Sequence, residues 1–109
     1  MKIDISGIII TKNEEKRIDE CSKSLSFVDE IIVVDNGSTD KTVDIVKRYG
    51  AKIVEQTAGN FSQLRNKGAK KAKGKWLLYV DADERVTPRL RKEIVSLVTN
   101  HKLPITAYA

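Results

Sequence analysis

The segment EIIVVDNGSTDKTVDIVKRYG, residues 30–50, reads as a strand, a turn and a helix in that order. Residues 30–35 are a short, nearly continuous apolar run rich in Ile and Val that ends in Asp35. Runs of this kind suit strands covered on both faces, as in parallel sheets. Asp40 is placed to cap the helix that follows, and Val43 and Val46 face inward. Lys47 and Arg48 suit its last turn and Gly50 the position after it.

The same unit recurs along the chain. IDISGIII (residues 3–10) and KWLLYVD (residues 75–81) are strands of the same kind, and AKIVE (residues 51–55) is a weaker one. Asn13 is placed to cap a helix with Glu14 and Glu15 in its first turn and Ile18, Cys21 and Leu25 inward. A third helix runs over residues 61–73 and ends at Gly74. A fourth takes Thr87 as cap and Pro88 as first residue, and buries Leu90, Ile94, Leu97 and Val98. ITAYA (residues 105–109) has the pattern of a fifth strand. Strand and helix alternate throughout, which predicts an α/β fold: a three-layer, doubly wound, mostly parallel sheet forming one domain over residues 1–109. The chain stops inside its last strand pattern without a turn or charged tail, so it reads as truncated.

At 109 residues the chain can bury one modest core. It is 40% hydrophobic and 32% charged, an ordinary globular composition. No apolar run approaches the length of a membrane span, and no signal peptide precedes the first strand. Its single cysteine, Cys21, cannot pair internally, which points to a reducing, cytoplasmic setting. A net charge of +5 and a pI near 9.4 are compatible with anionic ligands or an anionic membrane surface.

In open α/β sheets, ligands bind beyond the carboxyl ends of the strands. Three of those ends are polar here: Thr11, Lys12, Asn13 and Glu14; Asp35, Asn36 and Gly37; Asp81, Asp83 and Glu84. Parallel strands bring them to one edge, with Asp35 and Asp81 expected in a shared cleft. Asn13, Asn36, Gly37 and Asp40 are explained by caps and turns, whereas Asp35 is read as functional. Asp81 and Asp83 are one residue apart, and alternate residues of an extended segment point to one side. A hard divalent cation, magnesium or manganese, converts their repulsion into binding and keeps positions open for substrate phosphates. Glu84 reads as a solvated or loop-capping residue. Arg65 falls in the inward arc of the third helix with Phe61, Leu64, Gly68, Ala69 and Ala72, while Lys67, Lys70, Lys71 and Lys73 fall outside it. A guanidinium so placed needs an anion or several acceptors, either a structural carboxylate such as Asp35 or a nucleotide base or phosphate. His101, Cys21, Trp76 and the tyrosines suggest no chemistry, and no nucleophile triad, Gly-rich phosphate loop or zinc spacing is present.

The ordered set of TKNEE, VDNGSTD, RNKG and DADE resembles the family 2 glycosyltransferases, and within them the branch of lipopolysaccharide core β-glucosyltransferases. The resemblance covers about residues 3–97. It implies a nucleotide-sugar-binding fold of the A type, UDP-sugar donors such as UDP-glucose, a manganese or magnesium ion, and inverting transfer to an acceptor hydroxyl in cell-envelope glycan synthesis. By resemblance, Thr11 and Asn13 line the nucleotide pocket and Asp35 hydrogen-bonds the uracil. Arg65 approaches the base or diphosphate, Asp81 contacts ribose or donor sugar, and Asp83 binds the metal. The implied partners are a nucleotide-sugar and a glycan or lipid-linked acceptor, with no nucleic acid. The implied location is the cytoplasm or the inner face of the membrane.

In the family the general base lies beyond the DxD. No residue after Pro88 fits that role, so no catalytic residue is assigned. The chain then resembles a donor-binding half with its acceptor part absent, inactive in transfer alone. Two rivals share the sheet. A sugar-nucleotide nucleotidyltransferase needs a Gly-rich loop where TKNEE stands. A non-enzymatic nucleotide-binding or receiver-like signalling module needs an aspartate after the third strand, where Glu55, Gln56 and Thr57 stand.

Overall fold

A computed structural model describes residues 4–100 and the backbone of residues 106–108. The order of elements is β1 (Ile5–Thr11), α1 (Ile18–Ser24), β2 (Glu30–Asp35), α2 (Thr42–Lys47), β3 (Lys52–Glu55), α3 (Phe61–Lys71), β4 (Trp76–Asp81), α4 (Pro88–Asn100) and β5 (Thr106–Tyr108). The strands form one sheet in the order β3-β2-β1-β4-β5, and every described pair is parallel. The expected α/β sheet is therefore present, with β5 inside the expected fifth strand.

Alternation along the strands divides the core in two. Ile5 and Ile9 of β1, Val33 of β2 and Leu78 and Val80 of β4 pack with Ile18 and Cys21 of α1, Val46 of α2 and Ile94 and Val98 of α4. Ile8, Ile32, Val34 and Val54 face the other way, onto Leu64 of α3. Each parallel crossover needs a covering helix, and here the helices divide between both faces. The first three strands step outward to β3. The chain then returns past β2 and β1 through α3 to lay down β4, so strand order reverses between β1 and β4.

Helix α3 lies close to the sheet because Gly68 has no side chain. A Cβ there would sit 2.7 Å from Ile8 Cγ2 and 3.0 Å from Val34 Cγ2. Its first turn is fixed by a reciprocal cap: Gln63 N donates to Asn60 Oδ1 at 2.9 Å and Asn60 N donates to Gln63 Oε1 at 2.8 Å.

Four local expectations are corrected. Asn13 caps no helix: α1 begins five residues later, and Asn13 takes φ +53°. Its carboxamide instead accepts from Thr39 N at 2.7 Å, while Asn13 N donates to Ser38 Oγ at 2.9 Å. Glu14 N donates to Thr42 Oγ1 at 2.9 Å, so the loop after β1 is stitched to the loop after β2. Asp40 stands one residue further upstream of α2 than a cap would, yet its Oδ1 still accepts from Thr42 N at 2.9 Å. Phe61 is 48% exposed and Leu97 38% exposed, although both were expected inward. The buried residues of α3 are Leu64 and Gly68, so its inward arc begins only at Leu64. His101 lies outside the described residues.

At the opposite end of the sheet, Glu30 is held by three donors. Ser6 Oγ and Lys73 N donate to its Oε2 at 2.5 Å each, and Lys52 Nζ lies 3.1 Å from Oε1. Burial opposes its ionisation, but these donors outweigh it and bring its pKa from the ordinary 4.5 down to about 2. A depressed carboxylate contributes stability above its unfolded pKa and loses it as pH falls toward its folded one. In denaturant titrations across acid pH, the wild type is therefore expected to lose more stability between pH 4.5 and about 2 than Glu30→Gln, and equal losses would contradict the clasp. Gly68→Ala is expected to lose about 1–3 kcal/mol in the same assay through overpacking, and an unchanged midpoint would show that α3 can lift away freely.

Candidate functional site

The strand register sets the site. Thr11 pairs with Asp35 across β1 and β2, and Ile10 pairs with Asp81 across β1 and β4. Thr11, Asp35 and Asp81 therefore stand on one edge, at the reversal of strand order where such sheets bind ligands. They do not share one face. Thr11 and Asp35 continue the face of Ile9 and Val33, toward α1 and α2. Asp81 continues the face of Leu77 and Tyr79, toward α3. The expected single cleft holding Asp35 with Asp81 is thus corrected by strand alternation.

Asp35 is 4% exposed and Thr11 2% exposed. Asp35 Oδ2 accepts from Ser38 N at 3.2 Å, inside the turn that Gly37 makes at φ +82°. Asp35 Oδ1 and Thr11 Oγ1 are buried and have no hydrogen-bond partner among the described residues. Buried polar atoms normally find partners, so these two are acceptors and donors held in reserve at a strand end. Asn13 lies in the loop above them and spends its carboxamide on Thr39.

On the α3 side, a cleft of about 230 Å³ opens between α3, β1 and β4. Ile8 and Ile10 form its floor, Phe61 and Tyr79 its walls, and Arg65, Asp81 and Glu84 its polar groups. The Arg65 guanidinium lies 4.7 Å from the Phe61 ring centre and 5.6 Å from that of Tyr79. Two aromatic faces attract the cation and hold it beside the cleft. Arg65 therefore faces Asp81 across this cleft, not Asp35. Phe61 and Tyr79 were missed as site residues. The spacing of Tyr79 two positions before Asp81 carried the signal, since both must share a face.

Asp83 is placed differently from the expectation. β4 ends at Asp81, and Glu84 N donates back to Asp81 O at 2.9 Å, closing a turn. Ala82 is buried inside it. Beyond the strand end alternation no longer applies, so Asp83 does not line the cleft. It lies 3.6 Å from Arg17 Nη1, with both side chains half-exposed or more. The turn rests on α1: Cys21 Sγ donates to Asp81 O at 3.6 Å and Val86 N donates to Ser24 Oγ at 2.9 Å. Burial, with the charges of Glu84, Asp83 and Asp81 added, pushes the Cys21 thiol up to about 12. It stays protonated and serves as a donor, not a nucleophile.

Among the described residues, no three His, Cys, Asp or Glu side chains form a metal-binding group. A magnesium-type site needs only one or two carboxylates plus substrate oxygens, and the hard donors Asp81, Asp83 and Glu84 on one exposed turn suit that arrangement. No described helix is long and apolar enough to cross a membrane.

Comparison with known proteins agrees with this architecture. Residues 6–107 match the family model described as Glycosyl transferase family 2. An uncharacterized glycosyltransferase of Rickettsia typhi is 40% identical over 98 residues, covering 89% of this chain and 34% of that protein. The crystal structure of Staphylococcus aureus TarS, whose full name is poly(ribitol-phosphate) beta-N-acetylglucosaminyltransferase, superposes with a TM-score of 0.77 at 33% identity, over 93% of this chain and 33% of that one. Glucosyl-3-phosphoglycerate synthase of Mycobacterium tuberculosis in complex with UDP superposes with a TM-score of 0.73 at 25% identity, over 89% and 40%. The same enzyme with Mn2+, UDP and glucosyl-3-phosphoglycerate gives 0.65 at 25% identity, over 74% and 35%. The chain thus spans about a third of the length of the Rickettsia relative and 19% of TarS. With the parallel sheet, the acidic turn after β4 and a family match over nearly its whole length, the chain belongs to glycosyl transferase family 2.

Proposed function

We propose that residues 1–109 form the donor-binding domain of a metal-dependent inverting glycosyltransferase, which moves a sugar from a UDP-sugar to an acceptor hydroxyl. The observation that carries this reading is that Arg65 and Asp81 line one cleft at the reversal of strand order. A guanidinium there suits the diphosphate of a donor, and a carboxylate opposite suits sugar or ribose hydroxyls. The relative solved with UDP and Mn2+ supports the choice of ligand.

The chain's residues divide the work. Thr11 and Asp35 offer buried polar atoms for the base, and Asp35 Oδ1 accepts the imide N–H of uracil. Asn13 lines the nucleotide pocket through the loop that it ties to Thr39. Arg65, clamped by Phe61 and Tyr79, takes the diphosphate. Asp81 and Asp83 would hold the cation, Asp83 giving up its contact with Arg17. When bound, the manganese or magnesium ion supplies positive charge for the departing diphosphate. In transfer, the acceptor oxygen attacks the anomeric carbon, the bond to the diphosphate breaks, and the acceptor proton goes to a base. That base is assigned to no residue of this chain. The motif resemblance favours a cell-envelope acceptor such as a lipopolysaccharide core sugar, reached at the inner face of the membrane.

Calorimetric titration with UDP tests the reading. Binding is expected with manganese and is expected to weaken when a chelator is added. Asp83→Asn is expected to remove most of the difference between the two conditions and leave the melting temperature unchanged. Equal affinities for wild type and variant, with and without metal, would remove the metal site. Arg65→Ala is expected to weaken UDP binding by about 1–3 kcal/mol, as for loss of a charged hydrogen-bond donor. If that variant bound UDP normally but was strongly destabilised, the guanidinium would be a structural group only.

A further inference from the structure

The positive charge of this chain is concentrated in one place. Residues 61–75, FSQLRNKGAKKAKGK, hold six of its 20 basic residues and none of its 15 acidic ones. The remaining 14 basic residues are outnumbered by acids by one, so the whole net charge of +5 comes from this segment. Arg65 is turned into the cleft between two rings. The other five, Lys67, Lys70, Lys71, Lys73 and Lys75, are exposed, and none has an ion pair among the described residues.

Their arrangement follows from the helix. Leu64 and Gly68 bury one side of α3 against Ile8 and Val34, so Lys67 and Lys70 fall on the far side and Lys71 on its flank. Lys73 and Lys75 follow in the segment leading into β4. The last turn of α3 also carries the negative end of the helix dipole, which Lys70 and Lys71 offset only in part of their charge. The result is a cationic face on the outside of the layer that α3 makes, with acidic neighbours, Asp4, Asp29 and Glu30, around Lys73 at its far end.

We infer that this face docks on an anionic phospholipid bilayer. The choice of partner rests on the chemistry of the residues. All five exposed cations are lysines, point charges on flexible stems, which suit a diffuse anionic surface and not fixed bidentate recognition. Nucleic-acid surfaces interleave arginine and aromatic groups with lysine, and here Arg65, Phe61 and Tyr79 are used on the cleft side instead. Three of these lysines lie on α3 and two on the segment that follows it, a total within the four to eight basic residues that anionic leaflets attract. Docking through α3 also leaves the edge carrying Asp81 and Asp35 uncovered, because α3 covers one face of the sheet and not its end.

Vesicle co-sedimentation of the chain tests this inference. At low salt, the chain is expected to bind vesicles containing phosphatidylglycerol and not vesicles of phosphatidylcholine alone, and to be released as salt rises. Changing Lys67, Lys70 and Lys71 together to Gln is expected to weaken binding by about fivefold for each lysine removed. A control triple, Lys47→Gln with Arg91→Gln and Lys92→Gln, removes the same charge from exposed positions elsewhere and is expected to weaken it far less. Melting curves of both triples check that the fold is kept. Four results would overturn the inference: equal binding to both vesicle types, no effect of the α3 triple, an equal effect of the control triple, or tighter binding to single-stranded nucleic acid than to anionic vesicles at the same salt. None of these readouts depends on UDP binding, so the outcome stands apart from that of the donor site.

Discussion

Everything in this molecule hangs on β1, which pairs in parallel with β2 on one side and β4 on the other. A parallel strand cannot be reached by a hairpin, so each pairing requires a crossover helix, and the helices must cover the faces they cross. That requirement buries Ile5, Ile8 and Ile9 completely or nearly so. It also brings the carboxyl ends of the three strands to one edge, where no further strand residue competes for the space. Thr11, Asp35 and Asp81 gather there because the register allows nothing else.

The second constraint is how close α3 comes to the sheet. Gly68 allows the helix axis to approach Ile8 and Val34, and the cap at Asn60 fixes where the helix begins. Together they place Arg65 above the β1–β4 seam, one turn beyond Phe61 and over the ring of Tyr79. The exposed phenyl ring of Phe61 is then understandable. It gives up burial in the core and gains contact with a guanidinium, an exchange that makes sense at a binding cleft and not in a purely structural helix. On the other face, α1 performs a similar service for the acidic turn. Cys21 and Ser24 hold the backbone of residues 81–86, and Arg17 lies near Asp83.

The fold was readable in the sequence because its strongest signals are local. Residues 30–35 match β2 residue for residue, and the alternation of strand and helix survives intact. The caps were less readable. Asn13 and Asp40 have the chemistry of helix caps, but the two loops bind each other, and a tertiary partner such as Thr39 takes the carboxamide that a helix would have used. The site was readable by position and not by direction. Asp35 and Asp81 both end strands of the same edge, yet they point to opposite faces, which follows only once the register between strands is known. The placement of Asp83 was misjudged because the strand stops at Asp81, and a turn obeys no two-residue period. The aromatic clamp escaped notice because Phe61 and Tyr79 are distant in sequence and meet only through Arg65.

The central claim is that a UDP-sugar and its cation sit at the reversal of strand order between β1 and β4. Backbone amide shifts of the isotope-labelled chain, titrated with UDP and then with trace manganese, measure this most directly. The account predicts shifts at Thr11, Ser38, Arg65 and Asp81, followed by paramagnetic broadening centred on residues 81–84. Perturbations centred instead on Ser6, Glu30 and Lys73 at the opposite end of the sheet, or none at all with saturating UDP and metal, would contradict it.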